Sequence, residues 1–173
     1  MGLQWGDLDL DPGKLRIERA IEATKAKGLR IKSPKTRHGR RLISLPQIAV
    51  EVLREQRKAQ LEIRLKLGIG KLLPTHCVFG DIEGSARHPG WVTDQWNHVV
   101  KIKKLPHVTL HALRHSHASA LIASGQDVVT VSRRLGHASP TITLSVYAHL
   151  FHKTDEAAAR AIEAVLKPNE NKS

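Results

Sequence analysis

Thr109-Leu110-His111-Ala112-Leu113-Arg114-His115, resumed at Leu135-Gly136-His137 and closed by Tyr147, decides how this chain is read. Thr109 has the side chain of a helix cap, and the helix it opens runs to Gly125, a residue suited to a C-terminal stop. Leu110, Leu113, His117 and Leu121 recur at helical spacing and form its expected core face. His111 and Arg114 stand three positions apart on the adjacent face. Asp127 caps a second, short helix that turns Val128, Val131 and Leu135 inward and closes at Gly136. Ser139-Pro140 opens a third, with proline in the first turn, and this helix carries Tyr147.

Tyr147 is the only tyrosine of the chain. A phenol, with an unperturbed pKa of about 10, is a poor nucleophile at neutral pH. It becomes a useful one when cations and proton acceptors gather around it. His111, Arg114 and His137 are the parts such a site needs, and their convergence would make a covalent catalyst acting on a phosphate.

Working outward from this stretch, a helix is expected over Val92–Lys103. Residues 69–90, rich in glycine and proline, read as a loop with some structure around Cys77-Val78-Phe79. A longer helix begins at Pro46 and runs to Gly68, with Ile48, Val52, Ala59 and Ile63 as its apolar stripe. The first 45 residues alternate polar and apolar side chains in three short runs, Leu15–Arg19, Leu29–Lys32 and Arg41–Leu45. Asp11-Pro12-Gly13-Lys14 is a turn signal, and Ser33–Arg40 is a basic hairpin tip. The fold class is mainly α with a small three-stranded antiparallel sheet (α+β). Beyond Tyr147, Thr154 opens a last amphipathic helix with Ala158, Ala161, Ile162 and Val165 on one face, and 168–173 is a loose polar tail.

Lys and Arg exceed Asp and Glu by 28 to 16, a formal charge of +12, and the sequence pI is about 10.3. Such a balance favours a polyanionic partner, most simply nucleic acid. Cys77 is alone, so an intramolecular disulfide is excluded, in keeping with a reducing compartment. The first residues carry no signal-peptide pattern, and no apolar run approaches the about 20 residues that span a bilayer. The expected address is the cytoplasm.

The ordered set of His111, Arg114, His115, Leu135-Gly136-His137 and Tyr147 resembles the C-terminal catalytic domain of the tyrosine recombinases, the phage integrase family. Pro34-Lys35-Thr36 and Arg40-Arg41-Leu-Ile-Ser-Leu-Pro46 resemble that family's β-hairpin, and Trp5-Gly-Asp-Leu-Asp-Leu10 resembles the stretch before its first strand. The resemblance covers nearly the whole chain, and implies a catalytic domain over 1–167 followed by the tail. It implies that Tyr147 attacks a DNA phosphodiester to form a 3′-phosphotyrosyl link, releasing a 5′-hydroxyl, with no cofactor and no metal. By the same resemblance Arg114 steadies the charge of the transition state, Lys35 protonates the leaving oxygen, His111 accepts a proton or orients the phosphate, and His137 hydrogen-bonds it. Lys32, Arg37, Arg40 and Arg41 are expected to touch the DNA backbone. Double-stranded DNA is the implied partner, with self-association on it, the C-terminal helix 154–166 either docking on a neighbouring copy or packing on its own core.

The family pattern also has a first active-site arginine upstream of the Trp5 stretch, and an N-terminal DNA-binding domain. Arg16, Arg19 and Arg30 do not match that arginine. The reading is therefore of a recombinase unit lacking its N-terminal part, weak or inactive in isolation. Two alternatives stand beside it. Residues 127–147 resemble a helix-turn-helix, which would suit a non-catalytic DNA-binding protein. A decayed integrase remnant would keep only DNA affinity. Zinc is a poor fit, because His111 and His115, four apart on a helix, have no accompanying cysteine pair or His-Glu-x-x-His pattern.

Overall fold

A computed structural model describes residues 2–24, 28–34, 39–151 and 155–166. Lys35, Arg37, Thr154 and the tail 168–173 lie outside the described residues. After a single turn of 3₁₀ helix at Trp5–Asp7 come five short strands: β1 (Leu8–Asp9), β2 (Lys14–Ile17), β3 (Ala20–Thr24), β4 (Gly28–Lys32) and β5 (Arg41–Ser44). Six helices follow: α1 (Gln47–Leu67), α2 (Pro89–Ile102), α3 (Leu110–Ala123), α4 (Val128–Leu135), α5 (Pro140–Tyr147) and α6 (Asp155–Leu166). The chain is mostly helical with small antiparallel sheets, as its patterning indicates.

The strand pairing differs from the expected single sheet. The three-stranded sheet has the order β1-β2-β5, with Leu15 opposite Ile43, whereas β4 leaves it to pair with β3, Ile31 opposite Ile21. The unmarked element is β3. Its Ala20-Ile-Glu-Ala-Thr24 offers little of the branched and aromatic content that flags a strand, yet it continues the path of β2 into a second ribbon. The run Leu29–Lys32 therefore finds its partner just upstream, in Ala20–Ala23, and never reaches Arg41.

α1 starts at Gln47, with Pro46 as its extended cap residue, and ends at Gly68 with φ +64. Its inward face is not the stripe of Ile48, Val52 and Ile63, which are all exposed, nor Ala59; Val50, Leu53 and Arg64 are buried. The reason is chemical. The loop 69–82 lays carbonyl groups under this helix, and only donors can satisfy them. Gln56 and Gln60 donate to the Val78 carbonyl (3.2 and 2.9 Å), and Gln60 also accepts from the Trp5 indole at 2.8 Å. Arg64 donates through Nε to Gly70, through Nη1 to Ile82 and through Nη2 to Ile69. Trp5, Leu53 and Val78 form the small core here, close to the expected structure around Cys77, whose backbone pairs with Gln4.

α2 begins three residues ahead of the expected Val92, because the His88 ring accepts from Gly90 N and caps it. In α3 Thr109 caps as expected, accepting from Ala112 N at 3.0 Å. Its core face is corrected: Ala118 and Ile122 are buried, while Leu113 and His117 are exposed. α4 and α5 pack on the Ala118–Ile122 stripe, and with Val131, Leu135 and Tyr147 they build the second core. α4 follows expectation. Asp127 accepts from Val129 N and Thr130 N, Val131 and Leu135 point in, and Gly136 closes the helix at φ +74. Among the described residues no helix is long and apolar enough to cross a membrane.

Candidate functional site

The buried stripe of α3 runs N-terminally from Ile122 and Ala118 into His115, Arg114 and His111. Apolar side chains give way to polar ones where the α3–α4–α5 core opens. The Tyr147 ring enters from the end of α5 and is only 5 % exposed. Its Oη lies 2.6 Å from His115 Nδ1. The His115 ring is met edge-on by His111, with centroids 4.6 Å apart and planes at 85°. His115 is thus the immediate partner of the phenol, and His111 is one ring further out and exposed.

Arg114 points toward α4 and donates from Nη2 to the Leu135 carbonyl at 2.6 Å. Arg41, at the start of β5, reaches the same place from the other side. Its Nε donates to the Arg134 carbonyl at 3.0 Å and its Nη1 to Gly39 at 3.2 Å. The guanidinium of Arg41 lies against Gly136, where a Cβ would meet its Cζ at 2.7 Å. Arg134 returns the link, donating to the Ser44 carbonyl at 3.1 Å and to His117 Nε2 at 3.1 Å. β5 and the C-terminal end of α4 are therefore stapled in both directions.

His137 follows Gly136 and binds the hydroxyl of fully buried Thr143 through Nδ1 at 2.8 Å. Burial, and then the charges of Arg114 and Arg41, push its pKa below the ordinary imidazole value. The neutral ring is favoured, with Nδ1 engaged by a hydroxyl that can either donate or accept. Burial and the neighbouring charge of Arg114 also lower the pKa of Arg41. Two guanidiniums and a neutral histidine face one another, and among the described residues no carboxylate forms an ion pair with either guanidinium. Such a cluster suits a tetrahedral oxyanion, which a planar fork of N–H donors can grip in two places.

Of the residues singled out in the sequence, Tyr147, Arg114, His111 and His137 come together with this geometry. Lys35 lies outside the described residues, as does Arg37. Lys32 is held by an ion pair with Glu22, and Arg40 is exposed and donates to Ser33 Oγ at 3.0 Å. From sequence, Thr143 has no role, His115 only flanks the motif, and Arg41 is one of the cations expected to touch the DNA backbone. The signal for His115 was its position, three residues before Ala118 and seven before Ile122 on one helical face. Among the described residues no group of three or more His, Cys, Asp or Glu side chains could hold a metal ion.

The family model described as "Phage integrase family" matches residues 1–154. A tyrosine recombinase XerC-like protein of Caldanaerobacter subterraneus subsp. tengcongensis is 28 % identical over 172 residues, covering 94 % of this chain and 44 % of its own length. The ICEBs1 integrase of Bacillus subtilis is 27 % identical over 166 residues, covering 96 % and 44 %. Among solved structures, the Tn1549 transposon integrase in complex with transposon right end DNA superposes with a TM-score of 0.72 at 22 % identity, covering 96 % of this chain and 53 % of that one. The XerA recombinase gives 0.61 at 18 % identity, covering 96 % and 51 %. The chain spans less than half the length of these curated relatives.

Proposed function

This chain belongs to the phage integrase family, and from that premise we propose that it is the strand-transfer unit of a site-specific DNA recombinase, with Tyr147 as nucleophile. Tyr147 Oη attacks the scissile phosphorus and forms the P–O bond of a 3′-phosphotyrosyl link. The bond from phosphorus to the 5′-oxygen breaks, and that oxygen takes a proton, in this reading from Lys35. The phenol proton passes to the adjacent histidine pair. A second 5′-hydroxyl reverses the sequence, so the bond energy is kept without a nucleotide cofactor or a metal. Arg114 and His137 meet the non-bridging oxygens, where negative charge grows in the transition state.

One observation carries the reading: the phenol of Tyr147 lies 2.6 Å from Nδ1 of His115, the residue that follows Arg114 on α3. A nucleophile within hydrogen-bond reach of a base is the arrangement that covalent catalysis needs. The charge of +12 suits double-stranded DNA as substrate. A purely DNA-reading helix-turn-helix is supported less well. The outward face of α5 offers Thr141, Ile142, Leu144, Ser145 and Val146, without the arginine, lysine, asparagine or glutamine that read base edges.

The test uses a nicked duplex in which the fragment bearing the 5′-hydroxyl diffuses away after cleavage. An adduct that survives denaturation is expected to form slowly, in keeping with the weak activity expected of this unit alone, and Tyr147→Phe to leave none while still binding DNA. Equal adduct yield from both proteins would refute the assignment. Residues 1–167 are proposed as the catalytic unit. α6, which exposes Ile162, Val165 and Leu166, is proposed to dock on a second copy of the chain. Truncation before Thr154 should then lower the mass of the complex on DNA without changing cleavage at one site.

A further inference from the structure

Among the arginines that donate to backbone carbonyls, Arg64, Arg41 and Arg114 differ in what they leave over. Arg64 is buried and engages all three of its nitrogens, with Gly70, Ile82 and Ile69. Its hydrogen-bonding capacity is turned wholly inward, which marks a structural residue. Arg41 engages Nε and Nη1, and Arg114 engages Nη2, among the described residues. Both guanidiniums are half-buried. Each has five N–H donors in a fixed plane, so each keeps donors to spare.

Their anchors are consecutive. Arg41 holds the carbonyl of Arg134 and Arg114 holds that of Leu135, one from β5 and one from α3. Gly136 makes room for the Arg41 guanidinium, whose Nη1 a Cβ there would overlap. Two like charges, partly removed from water, are thus fixed side by side. Repulsion between them is felt at Arg41, whose proton affinity the charge of Arg114 lowers. The carbonyl end of α4 offsets part of this charge. An ion pair would offset more, but the ion pairs among the described residues use Asp7, Glu22, Asp11 and Glu62, all elsewhere.

We infer that Arg41 is a phosphate-binding residue of this site, its guanidinium and that of Arg114 forming a two-armed grip on one phosphodiester anion. The inference rests on the strand-transfer reading for the identity of the phosphate as DNA. The anion site itself does not depend on that reading. Arg41 then serves differently from a hairpin cation that brushes the DNA backbone: it meets the same phosphate that Tyr147 attacks.

Inorganic phosphate tests the grip on the full chain, by thermal unfolding at constant ionic strength with chloride as the exchanged anion. A ligand that binds only the folded state raises the midpoint as its concentration passes the dissociation constant. The wild type should show a phosphate-specific rise, Arg41→Ala and Arg114→Ala should each abolish it, and Arg133→Ala, on the exposed side of α4, should keep it. Were Arg41 only a staple between β5 and α4, Arg41→Ala would lower the midpoint in chloride yet keep the full phosphate response, and that result overturns the inference. The second readout is the covalent adduct on nicked DNA. Arg41→Ala should slow its formation by about 10²-fold, as loss of one positioned donor does. A methylphosphonate at the scissile position, which removes the non-bridging charge, should shrink that defect to under about threefold, since little charge is left for the arm to hold. An undiminished defect on that substrate also overturns the inference. A phosphate response lost in Arg41→Ala, with no adduct from the wild type, supports the grip and refutes strand transfer instead.

Discussion

Thr143→Val removes the hydroxyl that is hydrogen-bonded to His137 Nδ1. Thr143 is fully buried, and valine keeps its shape while replacing the hydroxyl by a methyl group. His137 Nδ1, now 2.8 Å from that hydroxyl, would lose its partner in a half-buried place. With the hydroxyl donating to Nδ1, the neutral ring carries its proton on Nε2, the nitrogen left to donate to a phosphate oxygen. Leaving a buried acceptor unmet costs about 1–3 kcal/mol. The ring escapes that cost by moving its proton to Nδ1 or by swinging out, and either change withdraws the donor from the phosphate. If about 1.4 kcal/mol of that cost appears in the transition state, adduct formation slows about tenfold. Single-turnover adduct formation on nicked DNA measures the rate. Long-range ¹⁵N–¹H correlations of the histidine rings report the tautomer in the free protein. Thr143→Ser keeps a hydroxyl and should stay near wild type in both. An unchanged ring pattern in Thr143→Val, together with an adduct rate within twofold of wild type, would refute the reasoning.

Gly136→Ala should destabilise the fold by more than Gly125→Ala. Both residues have positive φ, a strain of about 1–2 kcal/mol for alanine, but open space surrounds Gly125 while Gly136 abuts the Arg41 guanidinium; equal losses in chemical denaturation would deny that contact its weight. Val131→Ala, at the centre of the α3–α4–α5 core, removes two buried carbon groups and should cost about 2–3 kcal/mol, read from the same unfolding curves. His115→Asn should slow adduct formation more than His111→Asn, because His115 touches the phenol; the reverse order would return the base to His111. The pKa of His137 is lower in the folded than in the unfolded chain, so the unfolded state takes up a proton first as pH falls. Its contribution to stability is whole above the unfolded value of about 6.5 and is lost as pH drops through the folded value. The unfolding midpoint should therefore fall on acidification below that value, and His137→Gln should flatten the slope.

Elements whose ends are written in local chemistry were legible in the sequence. Asp127 and Gly136 bound α4, and Thr109 opens α3, because caps depend on a few neighbouring residues. Strand pairing was less so. Nothing within Leu29–Lys32 says whether its partner lies at Arg41 or at Ala20, and the low β-content of Ala20–Thr24 concealed the nearer one. The inward face of α1 was hidden for a third reason. Its apolar stripe lies outward, while Gln56, Gln60 and Arg64 turn inward to carbonyls of a loop that no local pattern announces.

The site shows the same inversion at higher stakes. On α3 the search for apolar spacing selected Leu113 and His117 and so turned the helix away from its true axis of burial, which runs through Ile122, Ala118 and His115 toward His111. A helix whose core face ends in histidine and arginine defeats a hydrophobic pattern at the residues proposed to do chemistry. Motif spacing singles out Arg114, His137 and Tyr147 because it does not depend on polarity. It gives no role to His115 and Thr143, whose importance lies in contacts, and it places Arg41 by its neighbours in sequence. Arg41 has as its neighbours in space a glycine and a carbonyl ninety-three residues away. Carbonyl anchoring is also the device that keeps such a site charged. A carboxylate would orient a guanidinium equally well, but it would neutralise the charge that an incoming phosphate needs, whereas a carbonyl fixes the plane of the fork and leaves its full positive charge in place.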